Sequence, residues 1–206
     1  MPFVPRCRAC WRRERRDAAP AEGLLNAPRP PTPAPQGDGR VAYRDAVGSD
    51  VEALSAFARE TWVATFGHLY PPEDLSAYLA AKFGPAIQRA EMEAGGRFRL
   101  AFDEAGLVGY CMMGALDMPV DDARGVELHR LYIHERGKGA RIADALIEDA
   151  IGWARARGAG AIYLSVWENN ERAQRFYRRF GFQDHGEWKF MVGATADRDF
   201  IWRLPL

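Results

Sequence analysis

Residues 138–143 combine two basic side chains, Lys138 and Arg141, with small residues at the junction between a strand-like run and a helix-like run. The first N–H groups of a helix have no partner inside the helix, and the helix dipole is positive at that end. Such a helix start binds anions, most often phosphate, and the two basic side chains would add charge-assisted hydrogen bonds. The segment therefore predicts a phosphate-binding turn, although a solvated basic helix start without a ligand would have the same local pattern.

Glu127 and His129 stand two residues apart in the strand-like run and should point to the same face, which Leu131 and Ile133 would continue. A carboxylate or an imidazole on such a face can accept a proton from a ligand. We expect Glu127 to be this acceptor, because its charge can also attract a cation, with His129 as the second choice. Both have a structural alternative, since Glu127 could pair with Arg130 and a strand histidine is more often a hydrogen-bonding residue only.

Tyr177 lies within a second helix-like run, residues 170–180. A phenol has an ordinary pKa of about 10, so it is protonated at neutral pH and can donate a proton to a leaving group. Tyr177 is therefore a candidate general acid, and an aromatic side chain buried on a helix is the alternative.

Four elements must position these residues. Residues 126–133 form an apolar, β-favouring run without Gly or Pro, which predicts a strand. Polar residues at helical spacing opposite apolar ones predict a helix from 141 to about 157. A buried strand is predicted over 161–167 and an amphipathic helix over 170–180, each ended by glycine or a turn. The unit is β-turn-α-β-α.

The rest of residues 41–206 is about the length that completes one domain around this unit. Proline and hairpin-turn residues separate its predicted elements. The predicted helices cover 50–66 and 73–82, and the predicted strands cover 41–46, 97–102, 107–116, 188–192 and 200–204. The predicted order is β-α-α-β-β-β-α-β-α-β-β.

Residues 1–40 differ in composition, with eight Pro, eight Arg, four acidic residues and no hydrophobic periodicity. Such a segment cannot bury enough apolar surface to offset its chain entropy, so we expect a disordered tail before a domain from 41 to 206. Cys7 and Cys10 lie in this tail without further ligands at zinc-site spacing, so no metal is expected.

The charge balance and the cysteine content restrict the partners and the compartment. The chain has 28 basic and 28 acidic residues, and without the Arg-rich tail the balance is slightly acidic, so no nucleic-acid surface is expected. No apolar run reaches the length that spans a bilayer, so we expect a soluble domain with no membrane partner. A single cysteine in the domain, Cys111, suits a reducing cytoplasm.

Residues 170–182, NERAQRFYRRFGF, match without a gap the Asn-x-x-Ala-x-x-Phe-Tyr-x-x-x-Gly-Phe motif of the GNAT (GCN5-related) N-acetyltransferases. The earlier turn resembles that family's pyrophosphate-binding turn, Gln/Arg-x-x-Gly-x-Gly/Ala. The family's spacing, counted from Tyr132, puts Lys138 at the first position, Arg141 at the central glycine and Ala143 at the last position. An arginine at the glycine position is a departure. If its main chain is helical its N–H still faces the anion, and if not, affinity for the cofactor should fall.

The resemblance implies a GNAT fold of the α/β (α+β) class, with about seven strands in a mixed, mostly antiparallel sheet and about four flanking helices. It implies acetyl-CoA as co-substrate without a metal, direct attack by an amine, Tyr177 as the acid that protonates the thiolate, and a strand N–H that holds the thioester oxygen. The implied cofactor-binding residues are Leu131, Tyr132, Ile133, Lys138, Gly139, Ala140, Arg141, Ile142, Ala143, Asn170 and Tyr177.

Residues 60–79, 127–133 and 166–170 are similar to segments of the PaiA-like bacterial acetyltransferases, which modify spermidine and spermine. This implies a small-molecule amine as the acceptor, with a polyamine as the first choice. The aromatic residues of the first segment would line the substrate groove or belong to the core. A protein N-terminus, a lysine or an aminoglycoside as acceptor, a non-catalytic acetyl-CoA binder, and a homodimer all stay open.

Overall fold

The computed structural model describes residues 41–206, in which one sheet of seven strands carries five α-helices. The strands are β1 (Ala42–Asp45), β2 (Arg97–Asp103), β3 (Gly106–Ala115), β4 (Gly125–Ile133), β5 (Ala161–Trp167), β6 (Gln183–Val192) and β7 (Thr195–Pro205). The helices are α1 (Val51–Phe66), α2 (Pro72–Phe83), α3 (Pro85–Glu93), α4 (Ile142–Ala156) and α5 (Glu171–Arg179).

The order of strands in the sheet is β1-β2-β3-β4-β5-β7-β6, and every neighbouring pair is antiparallel except β4 and β5. The parallel pair is joined only where Gly125–Glu127 meets Ala161–Tyr163. Beyond those residues β4 continues to Ile133 and β5 to Trp167 without pairing to each other. The sheet therefore opens into a split between its two central strands.

Each face of the sheet has its own core and its own helices. The apolar stripe of α4, which includes Leu146 and Trp153, packs with Phe176 of α5 on one face. Helices α1 and α2 cover the other face, where Leu54 and Phe83 pack against Tyr110 of β3. The split between β4 and β5 therefore connects two differently built surfaces.

A β-bulge in β4 changes which side chains share a face. Met112 of β3 is opposite Arg130, whereas the next residue, Met113, is opposite Leu128, so His129 is the extra residue. As a result Leu128 and Leu131, three residues apart, both pack on the α4 side. The expectation that Leu131 and Ile133 continue the face of Glu127 is therefore wrong, because it assumed an uninterrupted alternation.

A buried ionic cluster fixes α4 to the sheet. Arg97 and Arg99 of β2 are both almost fully buried, and both contact Asp45 of β1, at 2.9 and 3.3 Å. The two arginines also reach Asp149 of α4. Removing one member of such a buried network leaves an uncompensated charge, so the cluster holds the helix, and the turn that precedes it, in one position.

The predicted sheet of seven strands and the predicted helix order are confirmed, with one addition. The short helix α3 follows α2 after the single residue Gly84 and begins with Pro85, which suits the first position of a helix. The sequence analysis did not predict this helix. The predicted disordered tail and the Cys7–Cys10 pair lie outside the described residues.

Two further properties concern residues 41–206 only. None of their helices combines the length and the apolar character that crossing a bilayer requires. Their His, Cys, Asp and Glu side chains form no group of three or more that could hold a metal ion.

Cys111 is buried, and burial raises the pKa of its thiol to about 12, so it serves as an apolar core residue.

Candidate active site

A groove of about 870 Å³ passes through the split between β4 and β5. On the α4–α5 face its wall includes Lys138, Ala143 and Tyr177. On the α1–α3 face its wall includes aromatic residues of α1, α2 and β6 and two aspartates of β7. A single cavity thus reaches from one face of the sheet to the other.

The turn before α4 leaves several backbone N–H groups without a hydrogen-bond acceptor. Helix α4 begins at Ile142, and its first backbone bond to a preceding residue joins the N–H of Ala145 to the oxygen of Arg141, at 3.1 Å. Within residues 41–206 no acceptor is found for the N–H groups of Gly139, Arg141, Ile142 and Ala143. The turn therefore has the donors that the predicted phosphate-binding site requires.

Arg141 has a left-handed backbone, with φ 56° and ψ 16°, and is the one non-glycine residue with positive φ in the part of the chain described. Of the two alternatives that the sequence left open, a helical main chain at this residue is therefore not the one that the structure has. Glycine adopts the left-handed region without steric cost, whereas other residues rarely occupy it. Arg141 therefore has a backbone conformation that favours glycine, and the lower cofactor affinity expected for this case stays a prediction.

The two basic side chains of the turn have acidic partners close by. Lys138 pairs with Glu135, which holds the pKa of that carboxyl below its usual range. Arg141 contacts Asp144 at 3.3 Å with most of its side chain in solvent. Asp144 also binds Arg179 of α5 at 3.0 Å, so it links the turn to the helix that carries Tyr177.

The segment of β4 that was predicted to hold a carbonyl oxygen lies on the edge of the split. Leu131, Tyr132 and Ile133 line the groove and pair with β3 on their other side. N–H groups on the split side have no strand partner, because β5 is paired with β4 only as far as Glu127. Such groups are available as donors to a ligand.

Tyr177 lines the groove from α5, with its ring edge-on to Phe176 at 5.2 Å and to Phe182 at 5.6 Å. Within the described residues no hydrogen-bond partner is found for its hydroxyl. Burial raises the pKa of Tyr177 above its ordinary value, so the phenol stays protonated at neutral pH. It can therefore donate its proton to a group in the groove.

Asn170 has a local structural role that accounts for its place at the start of the motif. It is the N-cap residue of α5, and its Oδ1 accepts a hydrogen bond from the N–H of Ala173 at 3.1 Å. Its side chain also borders the groove.

Glu127 lies beneath the groove rather than in its wall. It is 3% exposed, and its Oε2 accepts a hydrogen bond from the N–H of Asp117 at 2.8 Å. Its Oε1 is 3.0 Å from Nδ1 of His129, and Nε2 of that ring is 3.1 Å from the carbonyl oxygen of Ala115. His129 lines the groove and so stands between Glu127 and a ligand. Both ring nitrogens face protein acceptors, so the ring is held in one orientation.

The alternative that paired Glu127 with Arg130 is not what the structure has. The two terminal guanidinium nitrogens of Arg130 donate to the carboxylate of Glu91 of α3, each at 2.7 Å. This bidentate pair borders the groove on the α1–α3 face. It depends on helix α3, which the sequence analysis did not predict.

The aromatic residues singled out from the sequence form one wall of the groove. Trp62 stacks on Tyr70 with ring centroids 5.5 Å apart and lies 4.8 Å from Tyr78. Tyr78 in turn contacts Phe190 of β6 at 5.9 Å. These rings belong to the core of that face and line the groove as well, so the two alternatives for them hold together.

Two carboxylates in this wall, Asp197 and Asp199 of β7, were missed by the sequence analysis. Asp197 accepts a hydrogen bond from the hydroxyl of Tyr70, and Asp199 accepts one from Ser165 of β5. Two acidic residues at alternate positions of a strand that also carries buried apolar residues would have been a usable indication, because they share one face.

The chain is similar to known proteins in both family and fold. The family model described as acetyltransferase (GNAT) family matches residues 54–182. An uncharacterised N-acetyltransferase of Mycobacterium bovis is 30% identical over 154 residues, which cover 74% of this chain and 96% of that protein.

Two further comparisons concern proteins with a named activity or ligand. The spermine/spermidine N(1)-acetyltransferase of Bacillus subtilis is 41% identical over 93 residues, covering 42% of this chain and 59% of that protein. The crystal structure of the PaiA N-acetyltransferase of Thermoplasma acidophilum in complex with coenzyme A has a TM-score of 0.66 at 23% identity. The matched region covers 81% of this chain and 99% of the PaiA chain, so the two proteins have the same fold.

Proposed function

The chain belongs to the acetyltransferase (GNAT) family, and from that premise we propose that it transfers the acetyl group of acetyl-CoA to a primary amine of a polyamine such as spermidine or spermine. The protein is an acetyl-CoA-dependent N-acetyltransferase. The identity of the acceptor is the part that is proposed. The observation that supports it best is the groove, which joins a turn with unpaired N–H groups to a wall of aromatic rings and carboxylates.

The residues present fit acetyl-CoA. The free N–H groups of the turn at 139–143, with Lys138 beside them, suit a pyrophosphate. The edge of β4 at Leu131–Ile133 offers N–H donors to an oxygen that gains negative charge. Bound acetyl-CoA supplies the acetyl thioester that an amine attacks, with CoA as the leaving group.

Two protons must move during this reaction. The hydroxyl of Tyr177 holds a proton for the departing sulfur, and burial keeps that hydroxyl protonated until it is needed. The amine must lose a proton in turn, and Glu127 remains the proposed acceptor. Both ring nitrogens of His129 are directed at protein acceptors, so we propose that a water beside the Glu127–His129 pair carries the proton to the carboxylate.

A polyamine suits the wall on the α1–α3 face for two physical reasons. Aromatic faces attract cations, and carboxylates in a partly desolvated cavity attract them more strongly than in water. Trp62, Tyr70 and Tyr78 supply the rings and β7 supplies the carboxylates. The Bacillus subtilis relative, which carries the name of a spermine/spermidine acetyltransferase, supports the same choice.

The test is an acceptor screen with the purified chain, in which release of free thiol from acetyl-CoA is followed with spermidine, spermine, a peptide with a free N-terminus, a lysine peptide and an aminoglycoside. We expect the highest kcat/KM for a polyamine. A clear preference for either peptide or for the aminoglycoside would contradict the proposal. Binding of acetyl-CoA without turnover of any amine would identify a non-catalytic binder.

A further inference from the structure

We propose that Asp197 and Asp199 determine acceptor specificity by selecting amines that carry a second positive charge. This inference rests on the proposed function, because it assigns the recognition of a multiply charged acceptor to particular residues of the same groove. It goes beyond that function, since the wall of β7 is neither the predicted proton acceptor nor part of the cofactor site.

The two carboxylates lie at different depths along one face of β7. Residues at alternate positions of a strand point the same way and are about 7 Å apart. Asp199 is 7% exposed, and its Oδ2 accepts a hydrogen bond from Ser165, which lines the split on β5. Asp197 is less buried and lies further from the split, where Tyr70 donates a hydrogen bond to it. The pair therefore extends from the mouth of the groove towards the reaction centre.

The basic residue between them is turned away from the groove. Arg198 donates to Glu187 at 2.6 Å and to Glu168 at 3.3 Å, and its guanidinium is more than half exposed. On the same face of the sheet, Arg130 is already held by Glu91. Between residues 197 and 199, the side chains of β7 that face the cavity are therefore acidic. Arg198 lies on the other face of the strand, where it pairs with Glu187 and Glu168.

The aromatic wall makes these carboxylates more selective. Tyr70, which donates to Asp197, stacks on Trp62, and Trp62 also contacts Tyr78. Phe66 packs edge-on to Trp167 at 6.3 Å. Trp167 is the residue of β5 that pairs with Asp199. Rings displace water from around the charges and present their negative faces to a cation. The Tyr70 hydroxyl fixes the Asp197 carboxylate, so little ordering is required when a ligand binds.

A polyamine has short alkyl spacers between ammonium groups, and such a ligand can pair one ammonium with a β7 carboxylate while another nitrogen enters the split. A monoamine of the same length lacks the second ammonium group and so cannot form this contact. A charge-assisted hydrogen bond between ammonium and carboxylate is stronger than a neutral one, so the groove should favour the acceptor that carries the second charge.

The test compares spermidine with an uncharged-tail alkylamine of matching length, measured with the wild-type chain and with the Asp197→Asn and Asp199→Asn variants. We expect the wild type to prefer spermidine, and each variant to lower kcat/KM for spermidine about tenfold relative to the alkylamine, mainly through KM. A variant that had merely lost its fold would lower both rates together, so the ratio separates the two effects.

Glu187→Gln is the matched control, because it removes a carboxylate of the same hairpin that binds Arg198 outside the groove. It should leave the ratio of the two acceptors at the wild-type value. If the aspartate variants lower kcat/KM equally for both amines, or do not lower it, the specificity inference is overturned. The proposed function still holds in that case, provided that the wild type acetylates the polyamine. If the wild type acetylates neither amine but does acetylate a peptide, the proposed function fails and this inference fails with it.

Discussion

The two walls of the groove are formed by different kinds of chemical group. The cofactor wall, formed by Leu131–Ile133, Lys138, Ala143 and Tyr177 together with the turn N–H groups behind them, consists largely of backbone donors and one phenol within residues 131–177. The acceptor wall, formed by Trp62, Tyr70, Tyr78, Asp197 and Asp199, consists of side chains from segments far apart in the sequence. A backbone site leaves a motif in the sequence, whereas an assembled wall of side chains leaves almost none.

This contrast predicts how changes in each wall should behave. A change in the cofactor wall should slow every acceptor by the same factor, because the donor half of the reaction is common to all of them. A change in the acceptor wall should alter the ratio between acceptors. Substitutions in the cofactor wall, followed by a truncation outside it, test this distinction.

The largest effect is expected for Tyr177→Phe. Removal of the hydroxyl takes away the proton that the departing sulfur would accept, so kcat should fall about 100-fold for every acceptor, with acetyl-CoA affinity nearly unchanged. Steady-state kinetics with two different amines would measure both quantities. The phenylalanine ring preserves the contacts with Phe176 and Phe182, so stability should be retained.

The matched control for Tyr177→Phe is Tyr163→Phe, which removes the hydroxyl of a buried tyrosine outside the groove walls. If Tyr177→Phe acetylates its amine at the wild-type rate, Tyr177 has no part in the mechanism. If it slows one amine far more than another, the separation of the two walls is wrong.

A smaller effect is expected for Lys138→Glu. Reversal of this charge places a carboxylate beside the unpaired N–H groups that would hold the pyrophosphate, so the Kd for acetyl-CoA should rise about tenfold at low salt and less at higher ionic strength. Calorimetric titration with acetyl-CoA would measure it. Lys189→Glu makes the same change in net charge on β6, outside the groove walls, and should have little influence. Equal affinities for Lys138→Glu and the wild type would show that the assignment of the turn is incorrect.

Arg141→Gly should have a modest effect in the favourable direction. The left-handed backbone costs a non-glycine residue about 1 kcal/mol, and the exposed ion pair with Asp144 contributes little, so the free energy of unfolding should rise by up to about that amount. Acetyl-CoA affinity should be kept or improved. Urea unfolding and a binding titration would measure the two changes.

Arg141→Ala separates backbone from side chain, because it removes the guanidinium but keeps the Cβ atom that strains the left-handed conformation. It should show no gain in stability. If alanine stabilises the chain as much as glycine, backbone strain at this position is not the reason.

The smallest effect is expected for deletion of residues 1–39. Their composition predicts that they add nothing to the core, so the melting temperature and turnover should both stay at the full-length values. Thermal unfolding and steady-state kinetics would check this. A melting temperature lower by several degrees would show that the segment packs on the domain, and a higher KM for the amine alone would make it part of the acceptor wall.

Much of the cofactor wall could be predicted from the sequence. The turn, the helix after it and the position of Tyr177 follow from local periodicity and from a motif within residues 126–182, and the structure has these elements in the predicted places. The roles of Tyr177 and Glu127 stay predictions. The face of Leu131 and Ile133 was predicted wrongly, because one extra residue at His129 reverses the alternation and nothing in the local composition marks it.

From the sequence alone, the order of the strands and of every helix except α3 can be predicted, as can an anion-binding turn, because each depends on residues within a few positions of one another. The tertiary structure alone decided the left-handed backbone of Arg141, the early end of pairing between β4 and β5, and the meeting of Tyr70 with Asp197, residues 127 positions apart. These features arise when distant segments pack against one another. Packing of that kind sets backbone angles, strand pairing and side-chain neighbours together, and no local pattern records it.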